Sequence, residues 1–118
     1  MNLAELFHHE TEFETLAAGQ TLFKEGEAGH LMYILMSGTA MIFVRERLVE
    51  TAEAGAIVGE MAMLDEAVRT ATVVAKTDCR FLPIERKRFN FLIQQTPNFA
   101  LHIMRTIADR LRKTDAIL

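Results

Sequence analysis

The sequence has almost none of the residues that cross-link chains or hold metals. Its single cysteine, Cys79, excludes an intramolecular disulfide and cannot by itself supply a metal or iron–sulfur site, so we interpret it as a buried thiol. No serine, cysteine or threonine has a histidine and an acid at a spacing typical of nucleophilic catalysis. A metal-binding motif and a glycine-rich mononucleotide loop with lysine are also missing. We therefore expect a protein that is not an enzyme, binds no metal and needs no cofactor.

The sequence also lacks a long hydrophobic run and an excess of positive charge. Its longest apolar stretch is Leu31 to Met36, far below the roughly 18 to 20 residues of a membrane-spanning helix. The first ten residues contain Glu5 and Glu10 and no basic start, so no signal peptide is predicted and we expect a cytoplasmic location. The net charge of −3 gives no general attraction to nucleic acid, because that attraction comes mostly from lysine and arginine. Any bound anion must therefore be held by a local site.

What the sequence does contain is the composition of one globular domain, 1–118, with half of its residues hydrophobic and a quarter charged. Between residues 13 and 84, short runs rich in Val, Ile, Thr, Phe and Met are separated by all six glycines, which is typical of strands and turns. The predicted strands are 13–16, 21–23, 31–36, 39–45, 48–51, 70–75 and 80–84. Several short strands in a row favour an antiparallel β-roll of the jelly-roll type.

Helices are predicted on both sides of these strands. A short one covers 2–8, and after Pro83 the apolar residues change to helical spacing. Two C-terminal helices follow from two apolar groups, Phe89, Leu92 and Ile93, and then Met104, Ile107, Ala108 and Leu111. Thr96 before Pro97 marks the start of the second, because proline at the first helical position loses no hydrogen bond. The predicted fold is therefore mainly β, with one short helix before the roll and two helices after it.

The last helix is not predicted to bind nucleic acid. Its basic residues are interleaved with acidic ones, as Arg105, Asp109, Arg110, Arg112, Lys113 and Asp115. Cations suit the negative C-terminal end of a helix, so we interpret these arginines and the lysine as helix-stabilising. No residues remain beyond Leu118 for a helix-turn-helix domain, so we expect no DNA-binding module.

The stretch 55–73 interrupts the strand pattern with a single helical turn over 61–64, and this interruption points to a binding site. Gly59, just before the turn, lets the backbone approach a ligand closely. The N–H groups at the start of the turn are free of helical partners and form an anion site. A phosphate group fits such a site.

Three polar residues of the same stretch add to this prediction. Arg69, ten residues after Gly59, supplies a planar, permanently charged guanidinium that can bind two phosphate oxygens at once, and Thr70 adds a hydroxyl. A carboxylate beside an anion needs a different partner, so Glu60 is expected to accept hydrogen bonds from a neutral group such as a sugar hydroxyl. Together these residues predict a site for a sugar phosphate.

These motifs resemble those of a known family, the cyclic nucleotide-binding domain shared by catabolite activator protein, the regulatory regions of protein kinases A and G, and cyclic nucleotide-gated channels. The resemblance covers nearly the whole chain. It includes AGQTLFKEGE at 18–27 and MYILMSG at 32–38, and it centres on GEMAML at 59–64 and RTATV at 69–73. In the family, the segment that contains the last two motifs is the phosphate-binding cassette.

The resemblance implies that the ligand is cAMP or cGMP. It implies that Glu60 binds the ribose 2′-hydroxyl, while Arg69 and the backbone N–H of Ala62 bind the cyclic phosphate. Thr70 matches a position where a hydroxyl can touch the phosphate or the amino group of a syn guanine. The expected ligand-binding residues are Gly59, Glu60, Met61, Ala62, Arg69 and Thr70. The apolar stripe of the last helix has two interpretations, packing on the roll or on a second copy of itself, and the resemblance is compatible with the second, a homodimer through this helix.

The sequence departs from the family pattern in two places and leaves the base unassigned. Val58 replaces a frequent aromatic residue before the Gly-Glu pair, and Val68 replaces a frequent proline before the arginine. There is no tryptophan, Tyr33 lies in a predicted strand, and no aromatic residue follows Phe99 to form a lid over the base. Selectivity between adenine and guanine therefore stays open.

Three functions are compared on this basis. The favoured one is a sensor in which the nucleotide biases the position of the C-terminal helices. An alternative is a ligand-free relative that acts as a protein-interaction or dimerisation module. A hydrolase or transferase acting on the nucleotide is disfavoured, because no base or nucleophile is predicted beside Glu60 and Arg69.

Overall fold

The computed structural model describes residues 2–64 and 68–117. Its elements are α1 (Leu3–Leu6), β1 (Glu14–Leu16), β2 (Thr21–Phe23), β3 (Met32–Ser37), β4 (Ala40–Val44), β5 (Arg47–Ala52), β6 (Ile57–Val58), α2 (Met61–Leu64), β7 (Thr72–Ala75), β8 (Cys79–Ile84), α3 (Arg86–Gln95) and α4 (Pro97–Ile117). This order confirms the predicted β-roll with flanking helices. Residues 65–67 of the predicted stretch 55–73, and residues 1 and 118 of the predicted domain, lie outside the described residues.

The strands form two antiparallel sheets of four strands each. One has the order β1-β8-β3-β6 and the other the order β2-β7-β4-β5. Buried residues of both sheets, among them Leu35, Ile42, Val73 and Phe81, form one cluster between the sheets, which we call the roll core. The roll is closed because each sheet presents one apolar face to the other.

A second cluster, the helix-side core, lies between the outer face of the first sheet and the helices. It combines Ile34 and Ile84 of the sheet with Phe89 of α3 and Phe99 of α4. The two phenylalanine rings meet edge to face with their centroids 5.9 Å apart. This cluster fixes the position of α3 and the first turns of α4 against the roll.

Strand β3 contributes to both cores. Its side chains alternate, so Tyr33 and Leu35 lie in the roll core while Met32 and Ile34 lie in the helix-side core. All four are buried. Burial on both faces explains why this segment is the longest apolar run in the sequence.

Strand β6 is absent from the sequence-based prediction, because two residues are too few to show a period. It pairs antiparallel with β3 at the edge of the first sheet, and Ile57 and Val58 are each 1% exposed. Gly59 follows this strand directly. The cassette therefore begins from a strand that is anchored on the most buried part of the roll.

The expected turn glycines and the expected buried cysteine are also found. Gly26 and Gly38 adopt φ values of 90° and 93°, the left-handed region in which glycine is favoured at turns. Cys79 is 2% exposed, and burial raises the pKa of its thiol. These residues support the turns and the roll core.

The last helix, α4, has two different faces. Ile103 is buried and Ile107 packs on the helix-side core, whereas Met104 and Leu111 are 57% and 62% exposed. The predicted apolar stripe is thus divided between the core and the surface. The helix begins at Pro97, as predicted. Among the residues described, no helix is both long and apolar enough to cross a bilayer.

Candidate functional site

A cavity of about 380 Å³ lies between the roll, the cassette and α4. Its volume is within the range of pockets that hold small molecules. The six residues predicted to bind the ligand all line this cavity: Gly59, Glu60, Met61, Ala62, Arg69 and Thr70. Most of the remaining wall is aliphatic, and α4 supplies part of it. The structure therefore brings the whole predicted set together at one concave site.

Arg69 lines the cavity and is held in place by several contacts. It is only 7% exposed, and its Nη1 donates a hydrogen bond of 2.7 Å to the carbonyl oxygen of Leu31. Its backbone N–H donates to the carbonyl of Glu27, and its own carbonyl accepts from the N–H of Gly26. Burial lowers the pKa of Arg69, but a guanidinium keeps its charge in proteins. The cavity wall thus contains a cation that is held by its neighbours.

Two glycines, which have no side chain, make room for the Arg69 side chain. A Cβ atom at Gly59 would lie 2.7 Å from Nη1, and one at Gly29 would lie 2.2 Å from Nε. Gly59 also has φ of 74°, which favours glycine by itself. Gly29 is a site residue that the sequence analysis missed, because its role depends on a side chain that arrives from a distant segment.

The cassette turn α2 is fastened to the rest of the molecule at Ala62. The Ala62 N–H, expected to contact the phosphate, donates to the carbonyl of Gly59 at 3.2 Å, the long end of the N–H···O range. The carbonyl of Ala62 accepts a hydrogen bond of 2.8 Å from Nη2 of Arg86, the first residue of α3. The peptide groups of the turn are therefore linked to the C-terminal helices.

Glu60 is the second buried charged residue of the cavity wall, and its partner is Arg110 of α4. Glu60 is 6% exposed, and its Oε1 lies 2.9 Å from Nη1 of Arg110. Arg110 also donates to both carboxylate oxygens of Glu50 in β5, at 3.2 and 3.3 Å, and to the carbonyl of Ile57. Burial by itself lowers the pKa of Arg110, but the charges and hydrogen bonds of Glu60 and Glu50 outweigh it and raise the pKa.

The role predicted for Arg110, as one of the cations that suit the C-terminal end of the last helix, is therefore wrong. Its guanidinium points into the molecule and joins α4 to the cassette and to β5. Arg112, in contrast, pairs with Asp109 on the exposed side of the helix, as the alternating charges predict. Arg110 was missed because its partners lie 50 and 60 residues away in the sequence, where no local pattern signals them.

The rest of the described cavity lining is apolar, apart from the hydroxyl groups of two threonines. Aliphatic side chains of the second sheet, including Val44 and Val49, face Leu111 of α4 across the cavity. Thr70, which is exposed at the rim, and Thr114 of α4 are the neutral hydrogen-bonding side chains of the described lining. Phe23 is its one aromatic residue within 2–64 and 68–117, and it lies beside Arg69. Within these described segments no group of three His, Cys, Asp or Glu residues is placed to hold a metal ion.

A roll with a buried arginine and a cassette at one cavity defines a class of protein. The profile of the cyclic nucleotide-binding domain matches residues 13–96, and the chain belongs to this family. It is 32% identical over 102 residues to the cyclic AMP receptor protein of Thermus thermophilus, which covers 82% of this chain and 47% of that protein. It is 33% identical over 75 residues to the cGMP-dependent protein kinase of Plasmodium berghei, which covers 64% of this chain and 9% of that one.

The solved structures agree with this assignment. The crystal structure of the Thermus thermophilus catabolite activator protein matches the fold with a TM-score of 0.75 at 29% identity, covering 94% of this chain and 60% of that one. The chain spans less than half the length of the curated relatives described above. The match therefore covers only part of each of these longer proteins.

Proposed function

We propose that this chain senses a cyclic mononucleotide, cAMP or cGMP, and that the ligand controls how α4 docks on the roll. One observation carries the proposal: a cavity of about 380 Å³ is lined by a buried arginine, Arg69, and by a buried glutamate, Glu60, that also pairs with Arg110 of α4. A ligand with a phosphate and a ribose hydroxyl would engage both groups. No step of this function requires bond cleavage.

The phosphate binds at Arg69 in this proposal. Within residues 2–64 and 68–117 no carboxylate forms an ion pair with Arg69, so its charge is available to an anionic ligand. The guanidinium is a planar donor that matches two phosphate oxygens. In this proposal the backbone N–H of Ala62 exchanges its long hydrogen bond to Gly59 for one to the phosphate. The hydroxyl of Thr70 completes the phosphate contacts, and Gly59 and Met61 form the adjacent backbone wall.

The ribose binds at Glu60. A carboxylate has lone pairs for about four hydrogen bonds, so Glu60 can accept from a 2′-hydroxyl while it accepts from Arg110. The ribose hydroxyl of the ligand and Arg110 of α4 would then both bind the Glu60 carboxylate. Because binding can shift an equilibrium only by its difference in affinity for the two states, this shared group gives the nucleotide a means to favour one position of α4.

The base lies between the aliphatic walls of the cavity. Hydroxyl groups both donate and accept, so Thr70 and Thr114 can pair with the amino group of adenine or with the polar edge of guanine. Both cAMP and cGMP therefore remain candidate ligands, and both are tested.

Calorimetric titration of the purified protein with cAMP and with cGMP tests the proposed function. We expect saturable binding of one molecule per chain for at least one of the two, and no detectable binding of adenosine or guanosine, which lack the phosphate. The nucleotide recovered after long incubation should be unchanged, whereas a cleaved product would favour an enzyme. If neither cyclic nucleotide releases or absorbs heat and neither protects the fold against heating, the interaction-module alternative is favoured.

The exposed face of α4 is the surface that we propose for a homodimer. Leu101, Met104 and Leu111 are 44%, 57% and 62% exposed, and they are spaced as the apolar seam of a pair of packed helices. Two copies that pack these faces would bury apolar area that is otherwise exposed to water. Such a dimer would couple the α4 positions of two chains.

Sedimentation of charged variants tests this dimer. Leu101→Lys combined with Met104→Lys is expected to convert a dimer into a monomer while nucleotide binding is kept, since neither side chain lines the cavity. Phe91→Lys, at an equally exposed apolar residue of α3, serves as the control and should leave the dimer intact. A wild-type chain that sediments as a monomer with and without nucleotide would refute the proposal.

A further inference from the structure

The guanidinium of Arg69 lies against an aromatic ring. Its Cζ atom is 4.1 Å from the centroid of the Phe23 ring and 6.0 Å from that of Tyr33. Phe23 is the last residue of β2 and is 8% exposed. The two rings are stacked with their centroids 6.2 Å apart, so the nearer ring is itself held by the roll core. The cation therefore has a rigid flat surface on one side.

This arrangement solves a problem of charge. A buried cation is costly unless it has a partner, and the usual partner is a carboxylate. A carboxylate would occupy the N–H edges of the guanidinium and repel a phosphate. An aromatic ring instead attracts the cation through its negative face and leaves the N–H edges to other acceptors. Within the described residues, the hydrogen bond from the Arg69 side chain goes from Nη1 to Leu31, and its other N–H groups have no acceptor there.

The end of β2 also holds the Arg69 backbone. The N–H of Gly26, three residues after Phe23, donates to the carbonyl of Arg69 at 2.8 Å. The side chain then passes Gly29 and Gly59, where a Cβ atom would lie within 2.7 Å of the guanidinium group. The hydrogen bonds of the Arg69 backbone, the space beside the two glycines and the Phe23 ring together determine one orientation of the guanidinium.

The geometry points to Phe23 as a positioning residue that orients Arg69 for an anionic ligand, an inference that rests on the proposed function. Phe23 acts through the ring face and not through contact with the phosphate. Its effect on binding must therefore depend on the charge at position 69. A residue that merely fills the roll core would show no such dependence.

Two substitutions distinguish the effect of the aromatic ring from the effect of its apolar volume. Phe23→Leu keeps an apolar side chain and removes the ring, whereas Phe23→Tyr keeps the ring. We expect Phe23→Leu to weaken cyclic nucleotide binding about 5- to 30-fold and Phe23→Tyr to change it less than about 2-fold. Phe23→Met, a flexible apolar replacement, repeats the test if the leucine variant does not fold.

A double-mutant cycle distinguishes positioning from packing. In an Arg69→Gln background, measured by ligand-observed NMR in the millimolar range, Phe23→Leu should cost less than about 2-fold, because no cation remains to be positioned. An equal loss in both backgrounds would overturn the inference. So would unchanged binding by the folded Phe23→Leu protein.

A measurement without nucleotide separates this inference from the proposed function. The side-chain protons of Arg69 should resonate upfield because they lie over the Phe23 ring, and this shift should disappear in Phe23→Leu and persist in Phe23→Tyr. A shift that survives in Phe23→Leu would refute the positioning role whether or not the protein binds a nucleotide. Failure of the wild-type chain to bind any cyclic nucleotide, with the shift present, would refute the proposed function alone.

Discussion

Arg69→Ala is expected to weaken cyclic nucleotide binding by about 2 to 5 kcal/mol, the range for truncating one partner of a buried hydrogen-bonded charge pair. This corresponds to an increase in Kd of about 30-fold to several thousand-fold. The physical reason is that Arg69 is the cation of the cavity with no carboxylate partner in the described residues, so a bound phosphate would lose its main counter-charge. Calorimetric titration of the variant measures the effect.

Arg80→Ala provides the matched control for Arg69. Arg80 also lies over an aromatic ring, that of Phe13, at 4.8 Å, but it is exposed and outside the cavity. We expect its removal to leave the affinity unchanged. Both variants should melt cooperatively. Equal affinity of the Arg69→Ala protein and the wild type would show that the phosphate contact is wrongly assigned.

Arg110→Met is expected to destabilise the protein by about 3 to 5 kcal/mol, the cost of leaving a buried charge without its partner. Methionine keeps much of the side-chain length but removes the cation that Glu60 and Glu50 share. The side chains of Arg110, Glu60 and Glu50 are 14%, 8% and 16% exposed, so water compensates little for the loss. Urea unfolding measures the change in the free energy of unfolding, and hydrogen exchange should rise along α4.

Two further variants make this prediction specific. Arg112→Met removes an ion pair on the same helix whose side chains are 72% and 62% exposed, and it should cost less than about 1 kcal/mol. Adding Glu60→Gln to Arg110→Met should recover part of the stability, because one stranded charge is then removed. If Arg110→Met and Arg112→Met had equal effects, Arg110 would not be the anchor of α4.

Much of the fold could be predicted from the sequence because strands and turns have short-range signals. The alternating apolar runs and the turn glycines predict seven of the eight strands, and Pro97 predicts the start of α4. Strand β6 was not predicted, because its two residues are too few to show an alternating pattern. Its place in the sheet comes from pairing with β3, a contact between segments that are far apart in the sequence.

The candidate site was predictable only on the cassette side. The segments at 59–64 and 69–70 lie close together in the sequence, so a motif can carry them. Phe23, Gly29 and Arg110 come from other elements, and none of them has a local pattern that marks it as part of a site. Even the apolar stripe of α4 was divided between core and surface only when the helix packed on the roll.

By itself the sequence determined the class of the fold and the motifs of the cassette, since strands, turns and the segment 59–70 are marked by residues near one another in the chain. The tertiary structure alone decided what faces the cassette: an aromatic ring under Arg69 and the α4 arginine beside Glu60. The reason is that burial makes unpaired charge costly, and the partners that satisfy it are selected by packing between distant segments.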